Sequence, residues 1–344
     1  NCSIENYRIS DATMKSWGFI KEESRETDTN VYFSFKSGVQ DQLLAMSYND
    51  PVTMAFSLKI NIYGDIELAK KDNKGMYAFN RCIEEMYKNK PYATYKFGEL
   101  EELEKITNEE LYKYYKELIQ ECKFDIYISG EKIEEIKTEI ENNENIAKLK
   151  PRDAKYITNS LEETTEIKEK TVQESADITQ GKLVIGMNIE QKMENSKNIA
   201  LIYNAILGGT ATSKLFQNVR EKASLAYTAG SNYIRQKGNV FIRCGIEIEN
   251  YEKALEIIKK QIEDMKQGNF TEEELENTKQ YIISTIQEIK DEQDTQIAYY
   301  FSHELAKTDS SIEKYINDVR KVTKEQIIEI AKTVKINTIY FLKN

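Results

Sequence analysis

The chain has 344 residues, and 58 Asp and Glu outweigh 48 Lys and Arg to leave a net charge of −10. Charged residues make up 31%, aromatics 10%, and only three are proline, a composition of a folded, helix-rich chain of two or three domains rather than a disordered one. The acidic balance excludes an ordinary nucleic-acid binder, because phosphates require a basic face, and no run approaches the ~18 apolar residues of a membrane span.

Residues 1–71 yield no clear pattern. Residues 75–89 have helical spacing, with Cys82 among the apolar positions. Thr107, with Glu110 three residues on, forms a capping-box signature and opens a second helix. That helix leads to the alternating stretch FDIYIS at 124–129, a strand pattern. Residues 151–177 are polar and charge-rich, without an apolar period, and read as an interdomain linker.

The next elements follow closely. A strand is expected at 182–189 and a helix at 196–207. Gly208 and Gly209 then mark a turn, followed by a short helix to about Ala223. Strands at 225–235 and 239–249 flank Gly238, a hairpin signal. Residues 251–267 form an amphipathic helix, with Ala254, Ile257, Ile258, Ile262 and Met265 on one face, which ends at Gly268. Thr271 with Glu274 caps a long helix, a further helix spans 293–306, and Thr323 with Gln326 caps the last one before a strand at 338–342.

The two helix–helix–strand endings, around Thr107 and Thr323, imply an internal duplication. The expected fold is α+β: two similar domains, 1–150 and 178–344, joined by 151–177, each a mostly antiparallel sheet with helices on one face. The first copy is about 45 residues shorter than the second ahead of its last helix pair. The four cysteines, Cys2, Cys82, Cys122 and Cys244, form no C-x-x-C pair or disulfide framework. Cys82 and Cys244 read as buried thiols, and a reducing, cytoplasmic location fits.

The most informative stretch is 207–227, LGGTATSKLFQNVREKASLAY. It resembles the C-terminal signature of the M16 (pitrilysin-like) zinc peptidases, and the order of elements over 175–344 is similar as well. A fainter likeness covers Tyr77 to Cys82, Pro91–Tyr92 and 98–107. In that family an Arg and a Tyr seven residues apart reach the bound peptide, and the resemblance places them at Arg220 and Tyr227. The family also binds zinc through an H-x-x-E-H helix in its N-terminal domain, with a carboxylate as third ligand. This chain has one histidine, His303, and so no metal site or zinc of its own is expected.

Together these features resemble one subunit of a two-chain M16B peptidase. The implied partner carries H-x-x-E-H and the zinc, the implied substrate is a peptide, and this chain would be non-catalytic alone. Two alternatives stay open: a stand-alone inactive scaffold that binds peptides or assists assembly, and a structural core subunit of the respiratory-complex type. The plain alternative for the motif is that Arg220 pairs with a neighbouring acid and Tyr227 is an ordinary strand residue.

Overall fold

The computed structural model describes residues 19–26, 30–37 and 41–47 as backbone, and 73–95, 105–121, 126–147, 167–306, 308–309 and 311–344. The chain divides into two compact units, 1–77 and 78–344.

In the smaller unit, β1 (Phe19–Glu26), β2 (Asn30–Ser37) and β3 (Asp41–Ser47) form an antiparallel meander. The register of β1 against β2 shifts between Lys21 and Glu23, a bulge at Glu22. The first helix, α1 (Lys74–Met86), spans the division between the units. Then come α2 (Asn108–Glu121), α3 (Ile133–Glu141) and a single turn at Glu144–Ala147. The capping box is in place at the start of α2: the Thr107 amide donates to Glu110 Oε2 at 2.9 Å, and the Glu110 amide donates to Thr107 Oγ1 at 3.2 Å.

The larger unit is built on a five-stranded sheet. Its strands are β4 (Lys170–Ser175), β5 (Gly181–Asn188), β6 (Ala226–Ile234), β7 (Asn239–Ile246) and β8 (Lys335–Lys343). They lie in the order β4-β8-β5-β7-β6, with only β4 and β8 parallel. The central strands β5 and β7 are buried along both faces, which is why they read as almost continuous apolar runs. Leu183, Ile185, Met187, Val240, Ile242 and Cys244 belong to the main core. That core is completed by α4 (Ser196–Asn204), α5 (Tyr251–Lys266), α6 (Glu272–Glu288), α7 (Gln293–Ala306), α8 (Ile312–Arg320) and α9 (Lys324–Thr333). In α5, Ala254, Ile258, Ile262 and Met265 face inward at helical spacing. Thr271 with Glu274 and Thr323 with Gln326 make both reciprocal capping bonds. Gly268 takes φ +73° after α5, a left-handed conformation that glycine adopts without steric cost.

The expected α+β architecture is present, with three differences in detail. Helices were expected on one face of the sheet, yet the second face carries the end of α1. There the Cys82 thiol lies 3.9 Å from the Thr338 carbonyl, and Phe79 packs edge-on to Phe241 at 4.9 Å. A Cβ at Gly186 would meet Met86 Sδ and stand 3.2 Å from Cys82 Sγ, so a larger residue there would have to push the Met86 side chain aside. Second, β4 lies within the stretch read as linker. Being an edge strand buried on alternate residues, it has no need of an apolar run. Arg81 and Lys170 fasten it to α1, through Arg81 Nε to Glu174 at 3.2 Å and Lys170 Nζ to Glu85 at 3.1 Å. Third, Ile126 to Ser129 form no strand. Tyr127 instead packs against Phe301 of α7 at 5.5 Å, and the Ser129 hydroxyl donates to Gln296 Oε1. An alternating pattern needs a neighbouring strand to pair with, and these residues meet a helix. Residues 124–125, the rest of that expectation, and Cys2 and Cys122 lie outside the described residues.

Cys82 and Cys244 are buried, and burial pushes both thiols up from the ordinary 9.0 to about 12. Below pH 9 their contribution to stability is fully present. Above it the unfolded thiols ionise while the folded ones stay protonated, so stability falls as pH rises towards about 12. In urea titrations from about pH 8 to about pH 10.5, a Cys82→Ala/Cys244→Ala variant should lose stability less steeply than the parent, by up to two protons in slope. Equal slopes would show that the thiols ionise alike in both states.

Candidate functional site

The segment bearing the motif is held by wide helical turns. After α4 the backbone continues as a π-helix, Ala205–Gly209, and a second π-helix follows at Phe216–Lys222. Such turns are uncommon and concentrate at functional sites. The sequence reads Gly208 and Gly209 as a turn after the helix; in the structure the π-helix runs through both, and neither has a positive φ. Gly208 is required for another reason. A Cβ there would lie 2.6 Å from Ser231 Oγ and 2.7 Å from both Ser231 N and Leu215 Cδ1. The helix end therefore rests directly on the backbone of the edge strand β6.

Arg220 stands on the second π-helix, next to Val219, which is buried and anchors the turn. Its guanidinium lies over the Phe216 ring at 4.5 Å, and its Nε is 3.7 Å from Glu221 Oε1. Both partners of that pair are about half-exposed, so it constrains the guanidinium weakly and leaves most of its five donors available. The chain then turns through Ser224, at φ +52°, and the Leu225 amide closes the loop onto the Val219 carbonyl at 3.1 Å.

Tyr227 follows at the start of β6, and here the ladder breaks. Ala226 pairs with Ile246 and Thr228 with Gly245, so Tyr227 is the extra residue of a β-bulge. A bulge re-aims its side chain, and the Tyr227 ring is 65% exposed, the most exposed large hydrophobic among the described residues. Thr228 takes up the donor that the bulge displaces: its Oγ1 accepts from the Gly245 amide at 3.2 Å. The Tyr227 hydroxyl donates to Glu247 Oε1 at 3.0 Å, and that hydrogen bond, with the carboxylate's charge, raises the phenol above its usual range. Tyr227 thus remains a protonated donor at neutral pH.

Sequence reasoning pointed to Arg220 and Tyr227 and gave no sign of Glu247, Thr228 or the bulge. One signal was legible: Gly245, inside an otherwise apolar strand, marks a close backbone approach.

The donor set does not fit a zinc ion. His303, the single histidine, gives Nδ1 to a 2.8 Å contact with Thr308 Oγ1 and lies against Tyr299, with ring centroids 4.4 Å apart. Burial, and then the Arg235 charge, hold its pKa below the usual imidazole value. The nearby Asp309 carboxylate is bound to the Ser311 amide and to Lys314. Among the described residues no group of three or more His, Cys, Asp or Glu could hold a metal ion, and no helix is long and apolar enough to cross a membrane.

The family model for the peptidase M16 inactive domain matches residues 105–282, just over half of the chain. The chain is 35% identical over 274 residues to the probable inactive metalloprotease YmfF of Bacillus subtilis (strain 168), covering 79% of this chain and 63% of YmfF. In fold it is similar to a conserved protein from Enterococcus faecalis V583, with TM-score 0.65, 24% identity, and coverage of 79% and 64% of the two chains. It is similar also to a peptidase M16 inactive domain from Pseudomonas fluorescens, with TM-score 0.63, 18% identity, and coverage of 80% and 66%. The chain thus spans somewhat under two thirds of the length of YmfF and of the Enterococcus protein. It belongs to the M16 peptidase family.

Gly208→Ala tests the contact that positions this segment. The added methyl must displace Ser231 or Leu215, which costs about 1–3 kcal/mol and should appear as a lower urea midpoint. An unchanged midpoint would mean that the helix end and β6 are not in this contact.

Proposed function

We propose that this inactive M16 chain is the substrate-positioning subunit of a two-chain peptidase, whose other subunit carries H-x-x-E-H and the zinc. The observation that carries the reading is Tyr227: an exposed phenol, aimed outward by a bulge at the sheet edge and kept protonated by Glu247. In this reading residues 1–150 are a shortened counterpart of the domain at 178–344.

The chemistry of the two side chains supports this division of labour. Arg220 offers several charge-assisted hydrogen bonds to peptide carbonyls or to a carboxylate. The Tyr227 hydroxyl can donate to the oxygen that becomes negative as a scissile carbonyl is attacked. To do so it must turn from Glu247, an exchange of one acceptor for another. Neither group generates a nucleophile, so the hydrolytic step belongs to the partner. β6 is an edge strand, and its unpaired backbone groups can bind an extended peptide beside Tyr227.

The test is steady-state cleavage by this chain reconstituted with an H-x-x-E-H-bearing M16 chain from the same cells. Tyr227→Phe should lower turnover about 100- to 1000-fold, the usual loss for one oxyanion donor. Arg220→Ala should mainly raise KM, by about tenfold or more, as expected for a charge-assisted bond. Thermal midpoints should not move, since both side chains face solvent. Full activity in the double variant would make the motif purely structural and favour a stand-alone scaffold.

A further inference from the structure

The second π-helix borders another site. A cleft of about 290 Å³ opens between it and α5, and Arg220 is not among the residues that line it. The most deeply buried lining residue is Gln261 of α5, only 4% exposed, which forms the floor. Its Oε1 accepts from Asn218 Nδ2 at 2.9 Å, and the same nitrogen donates to the Lys214 carbonyl at 2.9 Å. This pair of amides joins the π-helix to α5. Among the described residues the Gln261 Nε2 has no hydrogen-bond partner, so a buried amide offers its donor to the cleft. A buried donor left without an acceptor is uncommon, and it calls for one from outside the chain.

Three lysines surround that floor. Lys214 and Lys222 come from the π-helix side and Lys260 from α5. The Lys222 Nζ donates to Asn218 Oδ1 at 3.2 Å, which brings its ammonium to the amide pair. Two carboxylates also line the cleft, and both are already engaged. Asp264 accepts from Lys260 at 3.1 Å and from Asn269 Nδ2 at 3.1 Å. Glu274 accepts the Thr271 amide at 2.7 Å in the capping box of α6. Gln261 Nε2 and the remaining protons of Lys214 and Lys222 are then left to bind an acceptor. A single surface lysine without an acid is ordinary. Here three converge on one concave site around a buried amide donor, in a chain whose net charge is −10.

We propose that this cleft binds a small phosphate-bearing anion, as the free ion or as a phosphate monoester. Ammonium groups act as point charges and suit a tetrahedral, multiply charged phosphate. A planar carboxylate is matched better by the fork of an arginine, and no arginine lines the cleft. The volume lies at the lower edge of ordinary ligand pockets, room for the ion and a few attached atoms. A phosphate held by Lys214, Lys222 and Lys260, with Gln261 donating from the floor, links the π-helix to α5 a second time. That π-helix carries Arg220, so the anion steadies it from a side that Arg220 does not occupy. The proposal stands apart from the peptide-positioning reading, because neither Arg220 nor Tyr227 takes part in it.

The experiment is isothermal titration calorimetry of the full chain, at fixed ionic strength, with inorganic phosphate, glycerol phosphate and acetate as probes. A single site per chain is expected, with acetate at least about tenfold weaker than phosphate. Tighter binding of glycerol phosphate than of inorganic phosphate would identify the ligand as a phosphorylated small molecule, and the reverse order would identify it as the free ion. Lys214→Gln/Lys222→Gln should weaken phosphate by about tenfold or more, and Lys222→Arg alone should keep it. Gln261→Glu, which sets a carboxylate on the floor, should abolish binding, and the lysine pair keeps the test decisive should that variant fold poorly. Lys237→Gln, at a lysine over the Tyr92 ring that does not line the cleft, should change nothing. No saturable binding, acetate binding as tight as phosphate, full affinity in Lys214→Gln/Lys222→Gln, or an equal loss in Lys237→Gln would each overturn the proposal.

Discussion

The contact on which this site depends is the rest of Gly208 against the backbone of Ser231. No side chain separates the end of the first π-helix from the edge strand, and there is no room between them for even one methyl group. That contact fixes where the following residues can go. The second π-helix is seated through Leu215 and Val219, both fully buried, and Ser224 turns the chain back into β6. Arg220 and Tyr227 lie on either side of that turn. Their spacing is therefore set by packing at Gly208 and Val219 rather than by contacts of their own, which leaves both side chains able to serve a ligand.

The sheet explains the rest of the arrangement. Its central strands are buried on both faces, so α1 is as much a part of the core as the helices opposite. Glycine allows close approach at two points on the face that α1 occupies. Gly186 admits the helix, and Gly245, nearer the Tyr227 end of the strands, leaves the space that the Gln180 and Thr228 side chains fill. One face thus changes from packed core to polar surface within a few residues of β5 and β7.

Much of the larger unit was legible in the sequence. Reciprocal capping at Thr271 and Thr323 depends only on residues three apart, so local sequence specifies it. β5 and β7 were visible because two buried faces require apolar residues throughout. Less legible were features that depend on a distant partner. β4 was hidden in a polar stretch because an edge strand buries only alternate residues. The strand expected at 124–129 has the right alternation, but Ile126 to Ser129 meet α7 rather than another strand. Gly208 and Gly209 suggested a turn, whereas the need for glycine comes from Ser231, far along the chain. The bulge at Tyr227 depends on the register with β7, which periodicity alone does not specify.

In the proposed reading, the protonated phenol and the guanidinium at the sheet edge, in a chain with one histidine, are half of a peptidase site. The claim that this half is completed by a second, metal-bearing chain is tested most directly by native mass spectrometry of the complex purified through this chain from its own cells, with zinc counted in the same sample. Expected is one copy of this chain with one H-x-x-E-H-bearing chain and a single zinc, retained by the partner when the two are separated. Zinc that stays with this chain after separation, or a complex without any H-x-x-E-H subunit, would contradict it.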